Sequence, residues 1–142
     1  MRTSTDPYNL DRFVIAQESI FKQVLSEVRA GAKMGHWMWF IFPQIRGLGR
    51  SPTSIEYAIS SLDEAQAYLQ HPVLGPRLKE CTQLVLDVDR CSATDIFGNP
   101  DDVKFRSSMT LFAQACRDDN IFHRALQKYF EGVSDQLTLD RL

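Results

Sequence analysis

The chain has 142 residues, 44% hydrophobic and 24% charged, with a net charge of -2, the size and balance of one soluble globular domain around a single core. Without a basic excess there is no electrostatic case for nucleic acid, and without a run of like charge there is none for a charged tail. The apolar residues 13–16 are interrupted at once by Gln17, Glu18 and Lys22, so no signal-like segment opens the sequence and a cytoplasmic location is expected.

In chain order, Leu10, Phe13, Val14 and Gln17 form a short periodic face. A second helix is expected over residues 19–30, with Ile20, Val24, Leu25 and Val28 inward and Gly31 at its end. The run His36-Trp37-Met38-Trp39-Phe40-Ile41-Phe42-Pro43-Gln44 holds both tryptophans. It is far short of the roughly 20 apolar residues that cross a bilayer, and it reads as a short helix stopped by Pro43. Residues 43–53 carry two prolines and two glycines and form the longest irregular stretch. Ser54 is expected to cap residues 55–59. Ser61-Leu62-Asp63-Glu64 has the pattern of a capping box, and its helix stops at His71-Pro72. A longer helix follows on Leu74, Leu78, Cys81, Leu84, Val85 and Val88. Ser92 with Asp95 starts a single turn that ends at Phe97-Gly98.

Asn99-Pro100-Asp101-Asp102 reads as a helix start, with Asn99 as cap, Pro100 in the first helical position and two acids at the positive end of the dipole. Phe105, Met109, Phe112 and Cys116 mark its apolar face. Asn120 is expected to cap residues 121–131, closed by Gly132, and Ser134 or Asp135 to cap a last short helix. No segment alternates as a strand should, and no repeat or linker is visible. The fold class expected is therefore all-α: one domain over residues 1–142, with seven to nine mostly short helices packed irregularly and orthogonally.

Cys81, Cys91 and Cys116 are odd in number and widely spaced, as reduced thiols are. There is no CxxC or HxxxH pair, and His36, His71 and His123 are far apart, so neither a metal nor a cofactor is expected.

Four groups of residues could carry chemistry. In Gln44-Ile45-Arg46-Gly47-Leu48-Gly49-Arg50-Ser51, Gly47 and Gly49 let backbone amides approach an anion, Arg46 and Arg50 can fork onto a phosphate, and Ser51 adds a hydroxyl. The same loop reads equally as a solvated surface turn. His36, Trp37 and Trp39 offer a stacking wall for a planar ring, or a plain core. In residues 101–110, Lys104 opposes the dipole of its own helix, and the hydroxyls of Ser107, Ser108 and Thr110 need partners if buried. Glu64, Tyr68 and His71 share a helix and could do acid-base work, although Glu64 already has a capping role.

The runs at residues 36–44, 47–51, 64–75, 97–104, 107–112 and 132–139 together resemble a bacterial multihelical family of unknown function. That family is sometimes labelled calpastatin, but nothing here resembles the calpastatin repeat. The resemblance covers nearly the whole chain and implies an all-α fold without an established activity. A remoter likeness is to the NADAR family, which cleaves N-glycosidic bonds in ADP-ribose derivatives and riboflavin-pathway intermediates. It rests on Ser54-Ile55-Glu56-Tyr57 and on residues 101–111. The catalytic lysine of that family should follow soon after the glutamate, yet residues 58–70 contain none, so Lys104 would have to substitute.

The functional expectation is a pocket for a phosphate-bearing small molecule of nucleotide or ADP-ribose type, with N-glycosidic hydrolysis as its chemistry. Ligand contacts are expected from His36, Trp37, Trp39, Gln44, Arg46, Gly47, Gly49, Arg50, Ser51, Tyr57, Ser107 and Ser108. Glu64, Asp102 and Lys104 are the expected catalytic groups. The alternative is a non-catalytic interaction or dimerisation domain in which the aromatic run is an exposed patch.

Overall fold

One helix, Asp101–Ala115, stands at the centre of the packing. In the computed structural model, which describes residues 6–116 and 120–142, the elements are α1 (Asp11–Glu18), α2 (Phe21–Arg29), α3 (Met38–Ile41), α4 (Pro52–Glu56), α5 (Leu62–Gln70), α6 (Leu74–Asp87), α7 (Ala93–Phe97), α8 (Asp101–Ala115), α9 (Ile121–Phe130) and α10 (Gln136–Leu139). The all-α class holds, with ten helices among the described residues where seven to nine were expected; α3, α4, α7 and α10 are each only four or five residues long.

The central helix α8 packs against α3, α5, α7, α9 and α10, while α6 closes the far side against α2, α5 and α9. Phe105, Met109 and Phe112 were legible as its apolar face, but Ser107, Ser108, Thr110, Leu111 and Ala113 are buried as well. The small hydroxyl residues let neighbouring helices approach on faces that periodicity alone marks as polar. Edge-to-face aromatic pairs knit the core: Phe42 meets Phe105 at 5.0 Å between ring centroids, and Phe13 meets Tyr68 at 5.2 Å. Gly75 is required where α6 starts beside the end of α5, because a Cβ there would lie 2.1 Å from the Leu69 carbonyl oxygen.

Several helix ends differ in detail from the sequence reading. Ser51, not Ser54, caps α4: its Oγ accepts from Ser54 N at 3.1 Å, and Pro52 takes the first helical position, where a missing amide costs nothing. Ser61 caps α5, but Glu64 completes no box with it. Its Oε1 accepts from Ser60 N and Ser60 Oγ instead, and its Oε2 pairs with Arg12 at 3.0 Å. Asn99 is not the cap of α8, since Pro100 stands in that position and the Asn99 amide donates to Asp102 Oδ1. Glu131, in the left-handed region at φ 55°, ends α9 one residue before Gly132. The expected helix starts at Ser92, Asn120 and Asp135 are present, and Ser92 forms with Asp95 a full capping box. His71 Nδ1 accepts from Val73 N and Leu74 N, which gives α6 the cap its own Val73 cannot supply.

The α2–α3 connection is gathered on Glu27. Its Oε1 accepts from Met34 N, Gly35 N and Trp37 Nε1, and its Oε2 from Gln23. Burial pushes this carboxyl up, but the four donors outweigh burial and bring it to about 2, from an ordinary 4.5. A depressed carboxyl stabilises the fold above its unfolded pKa and loses that contribution as pH falls through the folded value. Glu27→Gln should therefore melt below the wild type at pH 6. The gap should narrow as pH drops from about 4.5 towards 2, read by paired thermal melts across pH; a gap independent of pH would refute the assignment.

Candidate functional site

The loop that follows α3 is pinned at its base. Arg46 N donates to Ile59 O and Ile59 N to Gln44 O, both at 2.8 Å, an isolated parallel bridge in an otherwise helical chain. Residues 46–58, α4 included, thus stand out from a fixed neck. Gly49 lets the loop fold back on α4, since a Cβ there would lie 2.6 Å from Ser54 Cβ and Oγ. Gly47 has φ +99°, and the guanidinium of Arg141 from the C-terminal turn lies against it, 2.7 Å from where a Cβ would be.

Opposite this loop stands the first half of α8. Between them is a cleft of ≈ 340 Å³. Gln44, Leu48, Gly49 and Ser54 line one side. Asn99, Pro100, Val103, Lys104 and Ser107 line the other, and Asp135 and Leu137 close the end. A smaller cavity of ≈ 60 Å³ under the loop shares Gln44, Gly49 and Ser54 with the cleft, and adds Trp39, Arg46, Gly47 and Tyr57 to its wall.

The cleft lining carries one cation, Lys104, and one anion, Asp135. Lys104 Nζ lies 4.9 Å from the centre of the Trp39 ring and 3.4 Å from Asp101 Oδ1. Asp101 is shared: its Oδ2 binds the nearly buried Lys33 at 2.7 Å, so it neutralises Lys104 only in part. Arg46 and Arg50 are exposed, as is Arg141, and among the described residues no side-chain hydrogen bond or ion pair engages any of the three. Asp135 is committed to structure: its Oδ2 accepts from Ser107 Oγ, Thr138 N and Thr138 Oγ1, fastening α10 to α8.

The structure brings together Gln44, Gly49, Lys104 and Ser107 in the cleft, and Trp39, Arg46, Gly47 and Tyr57 in the adjoining cavity. Burial, with the Glu56 carboxylate second, raises the Tyr57 phenol, which keeps it protonated. The other expected residues stand elsewhere. Trp37 is 2% exposed, with its indole bonded to Glu27, so it belongs to the core and stacks on no ligand. His36 is exposed and lines neither hollow. Arg50 and Ser51 lie outside both linings, Ser51 being the cap of α4. Glu64 is buried on the side of α1, salt-bridged to Arg12. Asp102 ties α7 to α8 through Thr94 Oγ1 at 2.6 Å and its Asn99 contact. Ser108 is wholly buried, and its Oγ has no hydrogen-bond partner among the described residues.

In the Glu64–Tyr68–His71 group, Glu64 is taken up by Arg12 and Ser60, and His71 Nδ1 accepts from the first amides of α6. Tyr68 is buried against Gln17, and burial raises its phenol far above the usual range. Burial also pushes the Cys81 thiol up to about 12, which leaves it inert. Among the described residues no three His, Cys, Asp or Glu side chains are grouped to hold a metal, and no helix is long and apolar enough to cross a membrane.

Sequence reasoning missed Ser54 and Asp135 as cleft residues because each reads locally as a helix cap. It missed Arg141 because nothing in the sequence places the C-terminal turn against Gly47.

Fold and cleft define an irregular all-α domain with a hollow between one pinned loop and its central helix. The chain belongs to the family described as protein of unknown function (DUF1810), whose model matches residues 7–142. It is similar to the crystal structure of the conserved hypothetical protein Rv1873 from Mycobacterium tuberculosis. The two are 56% identical with a TM-score of 0.95, over 96% of this chain and 98% of that one. These matches support the resemblance to an uncharacterised bacterial family and give no support to the NADAR likeness. No curated protein matches.

Proposed function

We propose that this protein binds a phosphate-bearing small molecule of nucleotide or sugar-phosphate type, in the cytoplasm, in the cleft between the pinned loop and α8. One observation carries the reading: Lys104 and Ser107 face Gln44, Gly49 and Ser54 across a single cleft, although some fifty residues of sequence separate the two sides. Val103 and Leu137, 51% and 62% exposed, give it an apolar rim suited to a ring or a sugar face, while unpaired arginines stand beside it. An apolar-rimmed hollow with a few convergent polar groups is the usual form of a ligand site.

Binding has more support than N-glycosidic hydrolysis. Asp135 is the carboxylate among the cleft-lining residues, and three donors already occupy its Oδ2. Glu64 and Asp102 line no part of the cleft, so acid-base work there has no free carboxylate to perform it. The interaction-domain alternative loses its main argument with Trp37, Met38, Ile41 and Phe42 all buried.

A thermal-shift screen against nucleotides, ADP-ribose, nicotinamide dinucleotides and sugar phosphates tests the proposal. A ligand at a hundred times its Kd stabilises by about 2.7 kcal/mol, well within detection. The shift is expected to shrink strongly in Lys104→Ala and Arg46→Ala. No shift with any phosphate-bearing compound would overturn it.

A further inference from the structure

Lys33 is a lysine almost without solvent, its side chain 7% exposed. Its backbone N–H donates to Ile96 O at 2.7 Å, in α7. Its ammonium donates to Gly35 O at 2.6 Å, lies 5.2 Å from the centre of the Trp37 ring and meets Asp101 Oδ2 at 2.7 Å. Burying an ammonium is costly unless it is paired and hydrogen-bonded, so Lys33 has no alternative to Asp101. Lys104 has one. Its side chain is 25% exposed and lines the cleft, and its Nζ stands 3.4 Å from Asp101 Oδ1, beyond the usual N–H···O range of about 2.7–3.2 Å. One carboxylate therefore stands between two lysines and is committed to the buried one. That leaves a cation in excess on the α8 wall of the cleft.

We infer that Lys33 is a positioning residue of the proposed cleft: by holding Asp101 it keeps that carboxylate from closing on Lys104, and so leaves the Lys104 ammonium to a ligand anion. This role rests on the cleft reading and adds to it the residue that keeps its one lining cation unmatched. Lys33 lines neither hollow, so it acts through Asp101. Asp101 and Lys104 are three residues apart on α8, a spacing at which side chains meet without any change of backbone. Without the Lys33 ammonium, Lys104 is the cation still within 4 Å of Asp101 among the described residues, and an approach of about half an ångström makes a full charge-assisted hydrogen bond. A ligand anion would then have to displace a carboxylate rather than water. A brace and a restraint differ in sign at Asp101. If Asp101 only braces the fold, removing its charge loosens the cleft and weakens binding. If Asp101 is a competitor held in check, removing its charge leaves Lys104 wholly to the ligand.

AMP and ribose 5-phosphate are the probes, with Kd measured by calorimetry on the full chain and folding checked by circular dichroism. Lys33→Met keeps the stem and removes the ammonium. It should bind both probes about tenfold more weakly, the scale of one hydrogen bond to a charged group. Asp101→Asn should bind them as tightly as the wild type or more tightly. In Lys33→Met/Asp101→Asn no carboxylate is left to close on Lys104, so the affinity lost in Lys33→Met should return. Weaker binding in Asp101→Asn, with no recovery in the double variant, marks a brace and overturns the inference. Lys33→Met binding as tightly as the wild type while Lys104→Ala binds weakly also overturns it, and the cleft then stands. If Lys33→Met does not fold, Asp101→Asn and the double variant still decide by sign: undiminished affinity in both supports the role, and loss in both refutes it. If neither probe binds the wild type, the cleft reading fails and the role of Lys33 with it.

Discussion

Arg12→Ala is expected to destabilise the protein by about 3–5 kcal/mol, the range for stripping one partner from a buried ion pair. The Arg12 side chain is 15% exposed and Glu64 only 3%. Its guanidinium makes five hydrogen bonds: Nε to Glu56 O at 2.9 Å, Nη1 to Tyr8 O and Asn9 O, and Nη2 to Ala58 O and Glu64 Oε2. Two of those carbonyls lie at the last residue of α4 and just beyond it, so one side chain ties the returning end of the pinned loop to α1 and α5. Truncation leaves a buried carboxylate with only Ser60 as donor and four carbonyls without the guanidinium. Arg12→Lys should recover little, because an ammonium cannot reproduce a planar fork of donors. The loss is read by urea unfolding. In a double-mutant cycle with Glu64→Gln the two effects should be clearly less than additive. A cost under about 1 kcal/mol, typical of an exposed pair, would show that solvent satisfies Glu64. Because the loop carries one wall of the cleft, Arg12→Ala should also weaken any ligand response without touching a cleft residue.

The helices were legible where local chemistry specifies them. Ser92 with Asp95, Asn120 and Asp135 each supply a side-chain oxygen to amides two or three residues on, and that signal is contained within a few residues of sequence. The errors have the same local origin turned around. Ser54 and Ser51 are both able to cap, and Pro52 after Ser51 was the deciding feature. Glu64 sits at the box position, yet Arg12, 52 residues away, and Ser60 claim its oxygens. Nothing in the periodicity of α8 announced a helix buried on several faces, since Ser107 and Thr110 read as polar until their bonds to Val103 O, Arg106 O and the Asp135 segment are seen, and Ser108 until its burial is.

The site was legible in its parts and illegible in its assembly. The glycine-basic loop and the Lys104–Ser107 turn were each suspicious for local reasons: flexible backbone beside cations, and a lysine and hydroxyls where a helix disfavours them. Their meeting across a cleft follows from the Gln44–Ile59–Arg46 bridge and from the packing of α3 on α8, which are long-range facts. The acids could not be sorted from sequence, because Glu64, Asp102 and Asp135 differ only in what lies near them in space. Each is engaged by neighbouring donors, which is why the geometry leans towards binding.

Trp37→Ala should cost about 3–5 kcal/mol, whereas Trp39→Phe should lie within about 1 kcal/mol of the wild type or stabilise it. The residues are two apart, and the two substitutions ask different things: one removes a whole core ring, the other removes an N–H and keeps most of the ring surface. Trp37 is among the largest fully buried side chains, packs on Phe42 at 6.3 Å and completes the set of donors on Glu27. Its removal opens a cavity in the core and takes a donor from Glu27 at the same time. Trp39 presents the opposite balance. Phenylalanine keeps most of the ring surface under Lys104 and deletes an N–H that has no hydrogen-bond partner among the described residues, so the exchange removes no hydrogen bond among them. Unfolding followed by circular dichroism avoids reliance on the tryptophans as probes. A Trp39→Phe cost as large as that of Trp37→Ala would mean that Trp39 is an anchor of the fold. A small or favourable change would mean that the fold uses the ring surface of Trp39 and not its N–H.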